Sequence, residues 1–189
     1  MEAYGHLKVL ISLILGLTIT RVLSGLSRRI QSPDRTEAMY AQIVWALVLL
    51  LGAVHFWWWE FNLRLIADWH FGIYVFVLAY TALFFLMATL IYPDNISDHV
   101  ETERFFLRRR RLFFGLFALS FVFDMGDTWM KGADHWASLG REYPWRMVLG
   151  IAIGLAAMRS TRARTLMWLG LGWLAYDLFW ILRRYDVLN

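Results

Sequence analysis

Long apolar segments separated by short polar connections run through the whole chain. Most are close to the roughly 20 residues that an α-helix needs to cross the hydrocarbon of a bilayer. The pattern therefore predicts an all-α polytopic membrane protein, a six-transmembrane-helix bundle that forms a single domain over residues 1–189. The predicted spans are residues 7–26, 41–61, 71–92, 112–130, 145–158 and 166–182.

The longest predicted connection, residues 94–111, joins the third and fourth spans. Asp98 and Glu101 have the spacing of a capping box, which typically opens a helix. We expect a short interfacial helix here, lying along the lipid headgroups before the fourth span. It ends in four arginines that could bind anionic lipid or a partner protein, or could serve only as a cytoplasmic topology signal: Arg108, Arg109, Arg110 and Arg111.

Composition supports a membrane protein and excludes several other classes. Hydrophobic residues make up 59% of the chain, above the roughly half that is usual in soluble domains. The chain has no cysteine, which excludes disulfides, thiolate metal sites and thiol catalysis. The net charge of +4 does not indicate nucleic-acid binding, because the arginines lie in short loops where membrane topology accounts for them.

The distribution of basic residues predicts the orientation. The first, third and fifth predicted connections hold eleven Lys or Arg, and the other connections and chain ends hold seven, with Arg21 left out as intramembrane. By the positive-inside rule, this places both termini outside the cytoplasm. The N-terminal apolar segment lacks a small-residue cleavage signal, so we expect it to be retained as the first span.

The end of the fourth span carries an unusual polar face. Ser120, Asp124, Asp127, Thr128 and Lys131 are spaced so that they share one side of a helix. Charged groups inside a membrane segment are costly and rarely face lipid. This face should therefore look into protein or water.

Two other spans carry polar groups at a similar depth. The second, fourth and sixth spans must run parallel, and His55, Asp124 and Asp177 each lie roughly 5 to 8 Å past the middle of their span, at about 1.5 Å per residue. Asp127 and Glu60 lie further out in the same direction. We expect these side chains to converge on one site.

The functional hypothesis that we favour for this site is a proton or cation pathway. Asp124 and Asp177 would take up and release the ion, His55 would act as a relay, and Asp127 and Glu60 would form an acidic mouth.

Two alternatives remain open. One imidazole with several carboxylates also suits a divalent metal, although no motif such as HExxH is present. The carboxylates could instead only lock the bundle through ion pairs, for which the candidate cations are Arg21, Lys131, Arg146, Arg183 and Arg184.

Small residues at helical spacing predict close helix packing. In the first span they are Ser12, Gly16, Thr20 and Ser24, and in the fifth they are Gly150 and Gly154. We expect these faces to make the protein a homo-oligomer or a subunit of a membrane complex. Its other expected partner is the lipid bilayer, and no nucleic-acid partner is expected.

The sequence does not favour an enzyme and identifies no cofactor. Ser120 has no histidine or lysine at local helical spacing that would activate it as a nucleophile. The main rival to ion conduction is therefore a non-catalytic sensor or assembly subunit that recruits a partner through its arginine-rich cytoplasmic loops.

Three segments in the first half of the chain carry a resemblance. They are LILGLTITRVLSGLSRR in the first span, FWWWEF closing the second and IYPD closing the third. Together they resemble a group of small, uncharacterised multi-span integral membrane proteins of bacteria. The resemblance implies a bacterial inner-membrane setting and carries no activity.

Overall fold

The computed structural model describes residues 2–31, 36–66, 68–93 and 99–184, and within these ranges it contains helices and no strands. The all-helical fold expected from the sequence is confirmed. In chain order the elements are α1 (Glu2–Gln31), α2 (Glu37–Trp59), a 3-10 segment (Glu60–Leu65), α3 (Phe71–Ile91), α4 (His99–Met130), α5 (Ala133–Ser138), α6 (Glu142–Arg159) and α7 (Ala163–Arg184).

Five helices of the described chain are long and apolar enough to cross a membrane, as in a multi-pass membrane protein. These segments are Gly5–Gln31, Glu37–Leu65, Phe71–Ile91, Glu101–Met130 and Ala163–Arg184. The predicted fifth span lies in α6, which has 18 residues and carries Glu142, Arg146 and Arg159. Because of these charges α6 is not among the five, and the prediction of six spans is not confirmed.

The separate interfacial helix is not confirmed either. α4 is one continuous helix of 32 residues that includes both the arginine run and the fourth predicted span. Its segment FFLRRRRLFF contains leucine and arginine, which favour helix, and neither proline nor glycine to interrupt it. Asp98, the proposed cap, lies outside the described residues.

α2 lies in the middle of the bundle. It packs against α1 and α3 on one side and mainly against α7 on the other, while α6 packs against α4 and α7 at the far edge. Thr128 contacts Tyr143 at one end of the α4–α6 pair, and Arg110 Nε donates to the Ser160 carbonyl, 2.8 Å away, at the other. α6 is therefore antiparallel to α4 and runs beside it from residue 128 back to residue 110.

A buried tryptophan holds α2 against α7. The Trp45 indole donates to the Leu166 carbonyl at 2.9 Å, and its ring packs edge-on against Phe113, Phe114 and Phe117. Opposite it, a Cβ on Gly170 would lie 2.7 Å from Val44 Cγ1. Only glycine allows this approach. The close contact of α2 with α7 therefore depends on the pairing of Trp45, a large residue, with Gly170, the smallest.

The two predicted small-residue faces have different environments. A Cβ on Gly154 would lie 2.9 Å from Ala118 Cβ and 3.1 Å from the Phe114 carbonyl, and Gly150 lies against the Phe121 ring. α4 therefore covers this face of α6 within the chain.

The α1 stripe lies on the opposite side of its helix from the core. α1 buries Leu7, Ile11, Leu15 and Val22, whereas the stripe of Ser12, Gly16, Thr20 and Ser24 is exposed. A Cβ on Gly16 would meet no described atom within 4 Å.

The two ends of the bundle differ in composition. At the end where α2 and α4 finish and α6 begins, which we call the aromatic end, the exposed side chains include Trp57, Trp58, Trp129 and Trp145. At the opposite end, the arginine end, they include Arg104, Arg108, Arg109, Arg111, Arg159 and Arg162. Indole rings favour the headgroup level of a membrane, and arginines favour the cytoplasmic side.

One buried ion pair ties α1, α2 and α4 together at the arginine end. The Arg29 guanidinium donates to one oxygen of Glu103, and the Thr36 hydroxyl donates to the other at 2.7 Å. Thr36 also caps α2, because its hydroxyl accepts from the Met39 amide at 3.0 Å. Within the part of the chain that the structure describes, each charge in this contact has one partner of opposite sign.

Arg21, a predicted ion-pair partner, stabilises the end of α3. Its Nε donates to the Tyr92 carbonyl at 3.0 Å, and the Gln42 amide donates to the neighbouring Ile91 carbonyl at 2.7 Å. These carbonyls lie at the helix C-terminus, where the backbone no longer supplies donors.

Candidate functional site: two buried ion-pair clusters

Asp124, Arg146 and Asp177, from three different helices, form a buried cluster that we call the inner cluster. One terminal nitrogen of Arg146 lies 2.6 Å from Asp177 Oδ1, and the other lies 3.7 Å from Asp124 Oδ2. The side chains of Arg146 and Asp177 are each 5% exposed, and that of Asp124 is 13% exposed. A single guanidinium therefore serves two carboxylates.

A tyrosine completes the surroundings of Asp124. The Tyr143 hydroxyl donates to Asp124 Oδ1 at 2.9 Å, and Thr128 Oγ1 lies 2.7 Å from the same hydroxyl. Because Tyr143 uses its proton on Asp124, Thr128 is the donor in this second contact. The chain Thr128–Tyr143–Asp124 fixes one carboxylate oxygen while the other faces Arg146.

Aromatic rings of α7 hold the guanidinium in place. The Arg146 Cζ lies 4.5 Å from the ring centroid of Trp180 and 5.7 Å from that of Trp173. Such distances allow cation–π attraction, which is stronger in a desolvated setting. Arg146 thus occupies an aromatic and acidic cage.

A cavity of about 60 Å³ lies next to the inner cluster. One water needs roughly 10–15 Å³ of such space, so the cavity can hold about four. His55 lines it, with its ring centroid 5.5 Å from that of Trp180. The polar residues of the lining are His55, Ser120, Asp124, Arg146 and Asp177, and aromatic side chains such as Phe56, Tyr80, Phe117 and Trp173 form much of the rest.

The outer cluster lies one turn closer to the aromatic end and consists of Glu60, Asp127 and Lys131. The Lys131 ammonium lies 2.5 Å from Asp127 Oδ2 and 3.6 Å from Glu60 Oε1. The Trp59 indole also donates to Asp127 Oδ2, at 3.1 Å. Again one cation serves two carboxylates, and all three charged side chains are buried.

Glu60 lies between the outer cluster and a small cleft. The cleft, about 10 Å³, is also lined by Lys8, Trp57 and Phe61. Glu60 is 5% exposed, and neither of its oxygens has a hydrogen-bond partner among the described residues. It is the charged side chain of the network closest to the cleft.

The two clusters adjoin each other through α4 and a pair of rings. On α4, Asp127 follows Asp124 by about one turn, and Lys131 follows Thr128 by about one turn. The Trp59 ring, whose indole donates to Asp127, lies parallel to the ring of Tyr143, whose hydroxyl donates to Asp124; the ring centroids are 6.4 Å apart. The charged groups therefore form one network that extends from the cavity toward the aromatic end.

The network contains more acid than base. Among the described residues, four carboxylates (Glu60, Asp124, Asp127 and Asp177) share two cations in direct ion pairs, Lys131 and Arg146. Full ionisation would leave two uncompensated negative charges in a buried region. Such charges are strongly unfavourable in a low dielectric, so the network should bind protons or other cations.

His135 lies beside the outer cluster, in the short helix α5 outside the membrane-spanning segments. Its ring centroid lies 5.4 Å from that of Trp59. Burial, and then the Lys131 ammonium, lower the pKa of His135 below its ordinary value, and the nearby Asp127 carboxylate offsets this only in part. The imidazole is therefore held neutral over a wider pH range.

The remaining predicted residues lie apart from this network or outside it. Arg183 pairs with Glu142 near the surface, and Arg184 donates to the Ser138 carbonyl at 2.7 Å. In the described ranges no group of three or more His, Asp or Glu side chains is arranged to hold a metal ion. The metal hypothesis thus gains no support from the described geometry.

Sequence reasoning did not identify Tyr143, Trp173 and Trp180 as parts of the site. A signal was present, because helical spacing places Trp173 and Trp180 on the same face of α7 as Gly170 and Asp177. In the same way Tyr143 extends the Gly150 face of α6, although the sequence suggested a loop at that position.

Comparisons with protein-family models, with curated proteins and with solved structures found no match to this chain.

Proposed function

We propose that this protein is a proton- or cation-conducting transporter or channel subunit whose pathway runs through the inner and outer clusters. Asp124 and Asp177 bind the ion, His55 lies beside the cavity as a relay, and Asp127 and Glu60 form the mouth at the aromatic end.

The observation that carries the proposal is that each of the two cations of the network, Lys131 and Arg146, is shared by two carboxylates. A cluster used only to lock helices together needs one acid for each base, because any further buried charge is destabilising. The extra acids of this network instead require a mobile positive charge. The adjoining cavity offers room for water or for a small ion.

The closed arrangement favours a transporter over an open pore. On the side of the arginine end, the cavity is bordered by the rings that pack around Trp45, among them Phe113 and Phe117. On the other side the network leads through Glu60 to the cleft. Uptake from the aromatic end would then alternate with a rearrangement that opens the arginine end.

The proposal includes a sixth span and an orientation. α6 runs antiparallel to α4 over the depth of the bundle, and its 18 residues correspond to about 27 Å at 1.5 Å per residue. With α6 as a span, both termini lie on the aromatic side, which the positive-inside rule places outside the cytoplasm. We propose a bacterial inner membrane as the setting, and an oligomer or larger membrane complex as the working form.

Ion flux in liposomes tests this function. We expect the full-length protein to conduct ions in a pH-dependent manner and the Asp124→Asn and Asp177→Asn variants to lose the flux. Asp134→Asn is the matched control, since Asp134 is an exposed acid at the same end, and this variant should keep it. Equal flux in all four proteins would reject the pathway.

A second candidate is a non-catalytic sensor or assembly subunit. Its support is that Arg108, Arg109 and Arg111 are exposed, whereas Arg110 is engaged with the Ser160 and Leu107 carbonyls. Replacing the three exposed arginines by glutamine should release a co-purifying partner if recruitment is the function, and should leave flux unchanged if conduction is.

A further inference from the structure

Glu60 differs from the other carboxylates of the network in its hydrogen bonding. Asp124 accepts from Tyr143, Asp127 accepts from Trp59 and Lys131, and Asp177 accepts from Arg146. Glu60 is buried to a similar degree, yet neither oxygen has a hydrogen-bond partner among the described residues. A buried carboxylate without donors is disfavoured as an anion, whereas the neutral acid avoids that penalty.

The charges around Glu60 do not compensate for this. Lys131 is closer to Asp127 than to Glu60, by 2.5 Å against 3.6 Å. The other charged groups that face Glu60 are Asp127 and, one turn further along α4, Asp124, which both repel an anion. Lys8 of α1 borders the cleft but is exposed to solvent, and solvent screens its charge.

We infer that the ion taken up by this protein is the proton, and that Glu60 is the group that receives it, holding it as a neutral carboxylic acid beside the Lys131–Asp127 ion pair. This inference rests on the proposed function and specifies its substrate.

Three observations favour the proton over a metal cation at Glu60. The cleft of about 10 Å³ is close to the lower limit for one water, roughly 10–15 Å³, and leaves no space for a hydrated ion. The described residues offer no group of three ligands for a metal. The Lys131 ammonium, 3.6 Å from Glu60, would repel any cation placed between the carboxylates.

Both Glu60 and Asp127 lie within 4 Å of the Lys131 ammonium, and the proposal includes a further transfer between them. A hydronium ion in the cleft gives its proton to a Glu60 oxygen and leaves as water. Glu60 then passes the proton to Asp127, whose Oδ1 has no hydrogen-bond partner among the described residues. Asp127 becomes neutral, Glu60 becomes an anion, and the Lys131 ammonium moves from Asp127 to Glu60, both of which it already approaches within 4 Å.

Infrared spectroscopy of the wild-type protein in lipid nanodiscs tests the protonation of Glu60 directly. A neutral carboxylic acid has a C=O stretching band that a carboxylate lacks and that shifts in heavy water. We expect such a band at neutral pH, and we expect ¹³C labelling of glutamate to shift it to lower frequency. Absence of a glutamate component would overturn the inference without any variant having to fold.

Two variants then connect this band with transport. Glu60→Gln should lose the glutamate band and the acid-driven proton influx into liposomes. Glu142→Gln, the same change at the same end in a residue paired with Arg183, should keep both. A band of equal strength in Glu60→Gln would overturn the assignment to this residue.

The ion selectivity separates this inference from the proposed function. Flux of sodium or potassium that is lost in Glu60→Gln, with no proton flux, would leave conduction standing and overturn the proton as its substrate. Absence of flux for every ion would overturn the proposed function and the transport role of Glu60, while the glutamate band would still decide whether Glu60 is protonated.

Discussion

The buried ion pair at the arginine end and the ion-pair clusters toward the aromatic end use the same side-chain chemistry in different proportions. Among the described residues Arg29 pairs with Glu103 alone, and Thr36 donates to the second oxygen of that carboxylate. In the inner cluster Arg146 faces both Asp124 and Asp177. The first arrangement is electrically balanced, whereas the second carries one acid too many.

Under the proposed function, this difference separates a structural role from a role in ion transport. A buried pair with one acid for one base needs no further counter-ion and can join helices permanently. An unbalanced cluster is stable only when a proton or another cation neutralises the extra carboxylate. The ratio of buried acids to bases is therefore more informative here than the mere presence of charged residues in a membrane.

The largest effect should come from removing the cation that two acids share. Arg146→Met leaves Asp124 and Asp177 buried without a counter-charge, and we expect a loss of about 5 kcal/mol, the upper end of what breaking a buried pair costs. Thermal unfolding in detergent measures this loss. Adding Asp124→Asn and Asp177→Asn to the same variant should restore most of the stability. No recovery would mean that packing of Arg146 on Trp173 and Trp180, and not charge, sets the cost.

The balanced pair should respond less strongly. Glu103→Gln leaves Arg29 without its counter-charge but retains an oxygen for Thr36, so we expect a loss of about 3 kcal/mol. The double variant Arg29→Met/Glu103→Leu should recover most of it, because an apolar replacement of both partners removes the unpaired charge. Flux per folded molecule should match the wild type in the double variant. Reduced flux would give this pair a role beyond structure.

The sequence predicted the class of fold and the acids of the site better than their environment. Helical spacing alone placed Ser120, Asp124, Asp127 and Lys131 on one face of α4, because that face depends only on positions within one helix. That Arg146 would be shared by two acids depends on how α4, α6 and α7 pack together. Such contacts join residues far apart in the chain, and local spacing does not specify them.

The helix ends were harder to predict for a related reason. Hydropathy detects the apolar part of a helix, but α4 continues through its arginine run and α1 continues through Arg28 and Arg29. Arginine is compatible with helix, so the hydrophobic boundary and the helix boundary differ. The same limitation applies to α6. Its 18 residues reach the length of a candidate span, but its charged residues make its hydropathy too low for it to be one of the five candidate spans.

A pair of glycine substitutions sharpens the distinction between covered and exposed helix faces. Gly154→Ala places a methyl group 2.9 Å from Ala118 Cβ and close to the α4 backbone, and we expect a loss of about 1–3 kcal/mol from overpacking.

Gly16→Ala is the matched control, where the new methyl meets no described atom within 4 Å. It should be neutral or stabilising by up to about 1 kcal/mol, since alanine favours helix over glycine. Thermal unfolding of both variants in detergent gives the comparison. Strong destabilisation by Gly16→Ala would instead show that a second copy covers the α1 stripe.

The smallest effect concerns pH at the aromatic end, where His135 borders the outer cluster. Burial and the Lys131 and Arg184 charges lower its pKa, so the folded protein binds fewer protons at this residue than the unfolded chain does. The folded state should therefore lose stability as the pH falls below about 6.5, the ordinary pKa of histidine, and this contribution should be constant at higher pH. Unfolding midpoints of the wild type and of His135→Asn, compared at pH 8 and pH 5, isolate this contribution, because all other groups are common to the two proteins. We expect the wild type to lose more stability on acidification than the variant. Equal losses in the two proteins would contradict a lowered pKa of His135 in the folded state.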